Sequence, residues 1–169
     1  RAAPAGAGIL LLEGGSVLNG GIIQGGVGDG GRFGGSNGAT AGSGSGGASG
    51  FQPNTITEGV GGAGITGANL TVMNAGTIAG GTGVGGQANA ITFTGGDNTL
   101  YLRNGSVLNG NAVVAGGTGT LVLGDYDTLP STPAFDVSKI VDAATAGATD
   151  EFVGFTGFTK IGYNTVTLT

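Results

Sequence analysis

The residues that could carry chemistry are few, and the densest group of them is acidic. Asp125 and Asp127 flank Tyr126, and two carboxylates at this spacing could bind calcium weakly or act as an acid and base pair. We expect a solvated corner there instead, and both aspartates are kept only as weak metal candidates. The chain contains no His and no Cys, which excludes Ser-His-Asp catalysis, disulfides and zinc sites built from those ligands. We therefore expect no enzymatic activity, no cofactor and no metal.

Two glycine patterns match the dinucleotide-binding fingerprint in spacing. They are Gly26-x-Gly28-x-x-Gly31 and Gly81-x-Gly83-x-x-Gly86. The phosphate-binding mechanism needs a strand before the glycines and a helix after them, and neither copy is followed by a helix-forming sequence. We expect both patterns to follow from the glycine content alone, because 42 of the 169 residues are glycine.

Composition narrows the class of protein further. Only 9% of the residues are charged, 38% are apolar and the net charge is -5. Five basic residues are too few to neutralise a phosphate backbone, so we expect no nucleic-acid partner. No apolar run approaches the roughly 18 residues of a membrane helix, so we expect no membrane insertion of this segment. The glycines lack a three-residue period, which excludes collagen.

An internal repeat indicates how the chain is organised. The hexapeptide Gly-Ser-Val-Leu-Asn-Gly occurs at 15–20 and again at 105–110, and each copy follows an alternating pair of leucines. A third, looser copy ends in Gly76-Thr77-Ile78. Alternation at period two predicts strands with one buried face, and Gly and Asn at the strand ends supply the left-handed backbone of a corner.

Repeated strands and corners predict an all-β parallel solenoid, because a single rung cannot bury its own inward side chains. The predicted inward residues are Leu10, Leu12, Leu70, Val72, Ile91, Phe93, Leu100, Leu102, Leu121 and Leu123. We divide the chain into first rungs at 1–24, a glycine- and serine-rich arm or loop at 25–60, and further rungs at 61–169. The arm either packs back on the solenoid or lies along a neighbouring chain.

Four segments resemble the passenger domains of bacterial autotransporters. They are Ala90–Leu102, Gly116–Gly124, the corner Val72–Ile78 and the closing phrase Gly157–Thr169. The resemblance covers 69–169 well and 9–24 fairly, and it does not extend to 25–60. It implies a right-handed parallel β-helix that is exported through the outer membrane and displayed or released outside the cell. The closing phrase differs from the family pattern at Val166, where passengers usually have Trp.

The resemblance also shapes the expected function. No translocator barrel follows residue 169, so we expect a fragment, a cleaved passenger or a relative with another use. We expect a non-enzymatic structural or adhesive protein, extracellular or on the outer-membrane surface of a Gram-negative bacterium, whose partner is a host or neighbour-cell surface. The alternative is a subunit of an extracellular filament that assembles head-to-tail through its open ends and its glycine-rich arm. The candidate self-association residues are Ile9, Leu10, Leu12, Phe158, Val166 and Leu168.

Overall fold

The protein is nearly all β in the computed structural model, which describes residues 5–28, 59–83, 85–124, 135–147, 151–163 and 165–169. Those residues contain one 3₁₀ turn, Val137–Lys139, and no α-helix. The strands in chain order are β1 Ile9–Leu11, β2 Gly15–Asn19, β3 Ile22–Gln24, β4 Ile65–Ala68, β5 Leu70–Asn74, β6 Thr77–Ala79, β7 Thr82–Gly83, β8 Gly86–Gln87, β9 Ile91–Gly95, β10 Asp97–Leu102, β11 Val107–Asn109, β12 Ala112–Val114, β13 Thr118–Leu123, β14 Ile140–Val141, β15 Phe152–Val153 and β16 Gly157–Lys160.

Three parallel sheets hold all of these strands except the antiparallel hairpin β7–β8. The six-stranded sheet has the order β1-β4-β9-β12-β15-β14, and the five-stranded sheet has the order β16-β13-β10-β5-β2. The three-stranded sheet has the order β11-β6-β3. Every pairing within these sheets is parallel, so the all-β class with parallel strands is confirmed.

The core is built from apolar residues that occupy the same register position on neighbouring strands. In the five-stranded sheet one such column runs Val17, Val72, Leu100, Leu121 and Phe158. In the six-stranded sheet a second column runs Ile9, Ile65, Ile91, Ala112, Phe152 and Ile140. Leu70, Val72, Ile91, Phe93, Leu100 and Leu121 are fully buried, and Leu102 and Leu123 pack against them. The predicted inward positions from 70 to 123 are therefore confirmed.

The inward assignment of Leu10 and Leu12 was wrong. Leu10 is 58% exposed and Leu12 is 76% exposed, whereas Ile9 and Leu11 pack against the core. The four residues Ile9–Leu12 are all apolar, so their sequence carries no alternation that could fix the phase of the strand. The pairing of Ile9 with Ile65 sets the phase, and a shift of one residue exchanges the two faces of a strand.

The two identical hexapeptides occupy different sheets and turn opposite faces inward. Val17 is 8% exposed in the five-stranded sheet, while its counterpart Val107 is 46% exposed in the three-stranded sheet. Asn19 is buried, and the equivalent Asn109 is exposed. The looser third copy is the true structural equivalent of the second, because Thr77 pairs with Val107. The sheet that a segment joins therefore determines which of its side chains are buried, even when two segments have the same sequence.

The corners between the six-stranded and five-stranded sheets use left-handed backbone, as the sequence predicts. Successive passes of the chain place Gly14 (φ 92°), Asn69 (φ 53°), Gly96 (φ 68°) and Gly117 (φ 77°) at this corner. Asn69 meets the requirement without being glycine, because asparagine tolerates the left-handed region better than most residues. Its side-chain oxygen accepts a hydrogen bond from the Asp97 backbone N–H at 3.2 Å, which joins it to the next strand.

Glycine backbones form a continuous stack at the corner where the three-stranded sheet leads into the six-stranded sheet. The N–H of Gly26 donates to Gly6 at 2.9 Å, that of Gly62 to Gly26 at 2.8 Å, and that of Gly81 to Gly62 at 2.8 Å. Ala88 completes the series by donating to Gly81 at 2.8 Å. We call these segments, 5–8, 25–28, 59–63, 80–83 and 88, the glycine stack. A Cβ on Gly81 would overlap the carbonyl oxygen of Gly26, so side chains are excluded by backbone contact.

Candidate functional site

The self-association candidates lie at two opposite ends of the sheets. The strands β1, β2 and β3 are outermost in the three parallel sheets, and we call them the leading end. The opposite edges are formed by β14 in the six-stranded sheet and β16 in the five-stranded sheet, which we call the trailing end. Ile9 and Leu10 belong to the leading end, Leu12 directly follows its strand β1, and Phe158 belongs to the trailing end.

The leading end carries more exposed apolar surface than the sequence predicts. Leu18 of β2 and Ile22 of β3 are 68% and 78% exposed, in addition to Leu10 and Leu12. Leu18 was not among the predicted self-association residues, and its counterpart Leu108 in the later hexapeptide packs against the core. Val17 and Leu18 are adjacent apolar residues, so the sequence alone does not show which of the two faces outward.

Phe158 closes the trailing end of the apolar column that begins with Val17. It lies in register beside Leu121, and it is 51% exposed because no further described strand lies over it. Phe152 and Phe155 are buried, whereas Phe158 is not. Phe155 packs edge-on against Phe93, with ring centroids 6.1 Å apart and an interplanar angle of 87°.

The segment 165–169 does not form an open strand at the trailing end. Leu168 makes a parallel bridge to Phe135, and the Phe135 N–H donates to the Thr167 carbonyl at 2.8 Å. Val166 is half-buried, and Leu168 is exposed. In the six-stranded sheet β14 pairs with the far side of β15, whereas the five-stranded sheet ends at β16. The six-stranded sheet therefore extends one strand further than the five-stranded sheet at the trailing end. Val166 and Leu168 therefore belong to a segment that is bridged to Phe135, and they do not form a free strand edge.

The buried polar side chains serve the corners and leave no reactive group. Asn98 accepts a hydrogen bond from the Leu70 N–H at 3.0 Å and donates to the carbonyls of Gly95, Gly96 and Thr118. In the part of the chain that the structure describes, every buried side-chain nitrogen and oxygen has a partner. These groups are saturated by structural bonds, so they are not free to bind a ligand.

The acidic groups with shifted pKa values also cap local structure. The Ser138 hydroxyl and backbone N–H both donate to Asp136 at the start of the 3₁₀ turn and lower the pKa of that carboxyl. The Thr145 hydroxyl and N–H lower the pKa of Asp142 in the same way. Donors that stabilise the carboxylate form explain both shifts.

The aspartate pair and the two glycine patterns of the sequence do not form a binding site among the described residues. Asp125 and Asp127 lie outside the described residues, as does Gly31 of the first glycine pattern. The second glycine pattern falls on the hairpin β7–β8, where no helix follows the glycines. Among the residues that are described, no cluster of three or more acidic, His or Cys side chains could hold a metal ion. None of the described helical segments is long and apolar enough to cross a membrane.

Comparison of the chain with protein-family profiles, with curated proteins and with solved structures finds no match. The likeness to autotransporter passengers consequently depends on the residues quoted from the sequence, and the surfaces described above carry the functional argument.

Proposed function

We propose that the chain is a right-handed parallel β-helix of the autotransporter-passenger kind and that it acts as a non-enzymatic structural or adhesive protein outside the cell. One observation carries the proposal. The chain visits the six-, five- and three-stranded sheets in the same order on successive passes, as β1-β2-β3, β4-β5-β6 and β9-β10-β11. A chain that repeats this order with parallel pairing winds around a common core, which is the arrangement of a β-solenoid.

The placement of the passenger-like segments supports the same proposal. Ala90–Leu102 spans β9 and β10, and Gly116–Gly124 spans β13, so both segments cover strands and corners of successive passes. The corner segment Val72–Ile78 joins β5 to β6. Rungs of this kind present a long side surface with few charges, and such a surface binds through shape and many weak contacts. We accordingly propose an extracellular or outer-membrane location in a Gram-negative bacterium.

Binding of the labelled chain to intact cells tests the adhesive role. The purified chain is incubated with host epithelial cells and with Gram-negative bacteria, and bound fluorescence is measured as the concentration rises. We expect saturable binding to one cell type that unlabelled chain displaces. A signal that rises linearly on every cell type and resists displacement would contradict adhesion. An experimental structure that shows left-handed winding would contradict the proposed fold.

A filament subunit is the second candidate, and the exposed end of one core column favours it. Phe158 and Val17 are the two ends of the same column, and in the described residues β16 pairs only with β13 and β2 only with β5. If β16 of one copy pairs with β2 of the next, the column continues without interruption. The unequal sheet ends at the trailing end restrict this contact to the five-stranded sheet. Repetition of such a heterologous contact produces an open fibre.

Sedimentation velocity at rising concentration, with electron microscopy of the same samples, tests this second candidate. We expect filaments from the natural chain and none from Phe158→Lys, because a buried lysine in the continued column is unfavourable. Tyr163→Lys is the matched control, since Tyr163 is 88% exposed and lies outside the strand. A chain that remains monomeric throughout would eliminate the filament and leave the adhesive role in place.

A further inference from the structure

A polar cleft lies on the outer face of the three-stranded sheet, beside the glycine stack. Its volume is about 390 Å³, which falls in the usual range of small-molecule sites, roughly 300–1,000 Å³. Two exposed carboxamides, Gln24 and Asn109, border it, and the hairpin β7–β8 forms its wall. Gln24 belongs to β3 of the leading end, and the other residues that line the cleft lie outside both ends. None of the predicted self-association residues is among them.

The floor of the cleft is made by a small residue between two long ones. Ala79 of β6 pairs with Gln24 on one side and with Asn109 on the other. Three neighbouring parallel strands therefore place the two carboxamides across a methyl group, with backbones roughly 10 Å apart at two strand spacings. A larger side chain in place of Ala79 would fill this depression.

The hairpin that forms the wall contacts the rest of the cleft through the Gln87 side chain. The Gln87 side-chain nitrogen donates to the carbonyl of Gly80 and, at 3.4 Å, to that of Asn109. This leaves the Gln87 side-chain oxygen as an acceptor and places the exposed Thr82 hydroxyl beside the opening. The hairpin thus forms one wall of the cleft and also supplies hydrogen-bonding groups to it.

The chemistry of the lining selects a neutral ligand with many hydroxyl groups. Within the described residues the side chains of Gln24 and Asn109 have no hydrogen-bond partner, and each offers two N–H donors and one acceptor. None of the described residues that line the cleft is charged, so an ionic ligand would find no counter-charge among them. Hydroxyl groups both donate and accept, and they match carboxamides in a site that also has an apolar floor.

We propose that this cleft binds a neutral saccharide unit, with Gln24 and Asn109 as the main contacts and Ala79 as the floor beneath the sugar ring. The inference rests on the proposed adhesive role and gives that role a ligand class, the uncharged carbohydrate of a cell surface. The expected affinity is weak for one free sugar and increases when many copies of the chain meet many sugars.

Saturation-transfer NMR with free glucose, galactose, mannose and N-acetylglucosamine tests the site on the purified chain. We expect at least one sugar to bind at millimolar concentration, with little change between low and high salt because no ion pair is involved. The double variant Gln24→Ala/Asn109→Ala should weaken binding roughly tenfold or more, since two hydrogen-bonding groups are lost. Ala79→Leu should abolish binding by occupying the floor.

The control is Asn104→Ala, which removes an exposed carboxamide that does not line the cleft. It should bind as the natural chain does, and circular dichroism should show the same β-structure for every variant. Binding that survives both Ala79→Leu and the double variant would overturn the proposal, as would failure of all four sugars to bind. If no sugar binds, the cleft proposal fails, whereas saturable binding of the chain to cells would still support adhesion through another surface. The two proposals can therefore fail separately.

Discussion

The Asn19 side chain donates a hydrogen bond to the Asn74 side-chain oxygen at 2.8 Å, across two neighbouring strands of the five-stranded sheet. Asn74 in turn donates to the Ser106 hydroxyl at 2.7 Å, so the polar ladder continues into the next pass of the chain. The Asn19 side-chain oxygen accepts a hydrogen bond from the Gly21 N–H, and the Asn74 side-chain oxygen accepts one from the Gly76 N–H. One side chain therefore joins successive passes and also fixes the corner of its own pass.

We predict that Asn74→Ala lowers the free energy of unfolding by about 2–4 kcal/mol, because it leaves buried donors and acceptors of its neighbours without partners. Urea denaturation followed by circular dichroism measures the change. The matched control Asn104→Ala removes an exposed amide and should change stability by less than about 0.5 kcal/mol. Equal effects of the two variants would show that the ladder is unimportant for stability.

The glycine stack gives a second prediction. Gly81→Ala places a Cβ against the Gly26 carbonyl, and the backbones must move apart at a cost of about 2 kcal/mol or more. Gly20→Ala adds the same methyl group where no atom lies within 4 Å. We expect this control to be neutral or slightly stabilising, since alanine restricts the unfolded chain. Thermal unfolding measures the stability of both variants. A Gly81→Ala variant as stable as the natural chain would contradict the close packing of the glycine stack.

The phenylalanines near the trailing end should differ sharply in their effect on stability. Phe155→Ala removes a buried ring that packs against Phe93 and Phe152, and we expect a loss of about 3 kcal/mol or more. Phe158→Ala should cost about 1 kcal/mol in the monomer, because half of its surface is already in water. Chemical denaturation at low concentration separates these effects from assembly. Similar losses would mean that Phe158 is covered in solution.

The pKa of Asp142 leads to a prediction with a defined sign. Hydrogen bonds from Thr145 hold this pKa below the ordinary aspartate value, so the folded state binds its proton less readily than the unfolded state. The resulting stabilisation is present above the unfolded-state pKa and is lost as the pH falls through the folded-state value. Thr145→Val should raise the Asp142 pKa toward the ordinary value in an NMR titration. Asp136, held by Ser138, is the internal control and should titrate unchanged.

Much of the parallel β-structure could be predicted because alternation and corner residues are local properties of the sequence. In Leu70–Val72 and Ile91–Phe93 a threonine separates the two apolar residues, and this contrast indicates which face is buried. Asn69 and Gly96 mark corners because few other residues accept a positive φ. These features depend on neighbours in the chain, and the sequence displays them directly.

Features that depend on partners distant in the chain were not predicted. The phase of Ile9–Leu12 comes from its pairing with Ile65, and the different roles of Asn19 and Asn109 come from the sheets that they join. The cleft between Gln24 and Asn109 exists only because β3, β6 and β11 stand side by side. Periodicity contains no information about which strands become neighbours, so neither the phase errors nor the cleft could be read from it.

The contact between Gly28 and Gly59 has a consequence for where the sequence of this protein can be lengthened or cut. A Cβ on Gly28 would overlap the carbonyl oxygen of Gly59, so these two residues lie side by side in the glycine stack although thirty residues separate them in the sequence. The entropy of closing an insert between adjacent anchors grows only with the logarithm of its length, about 0.6 kcal/mol for each doubling. The corner is therefore a natural grafting point, where foreign sequence or new chain termini can be introduced while the sheets keep their register.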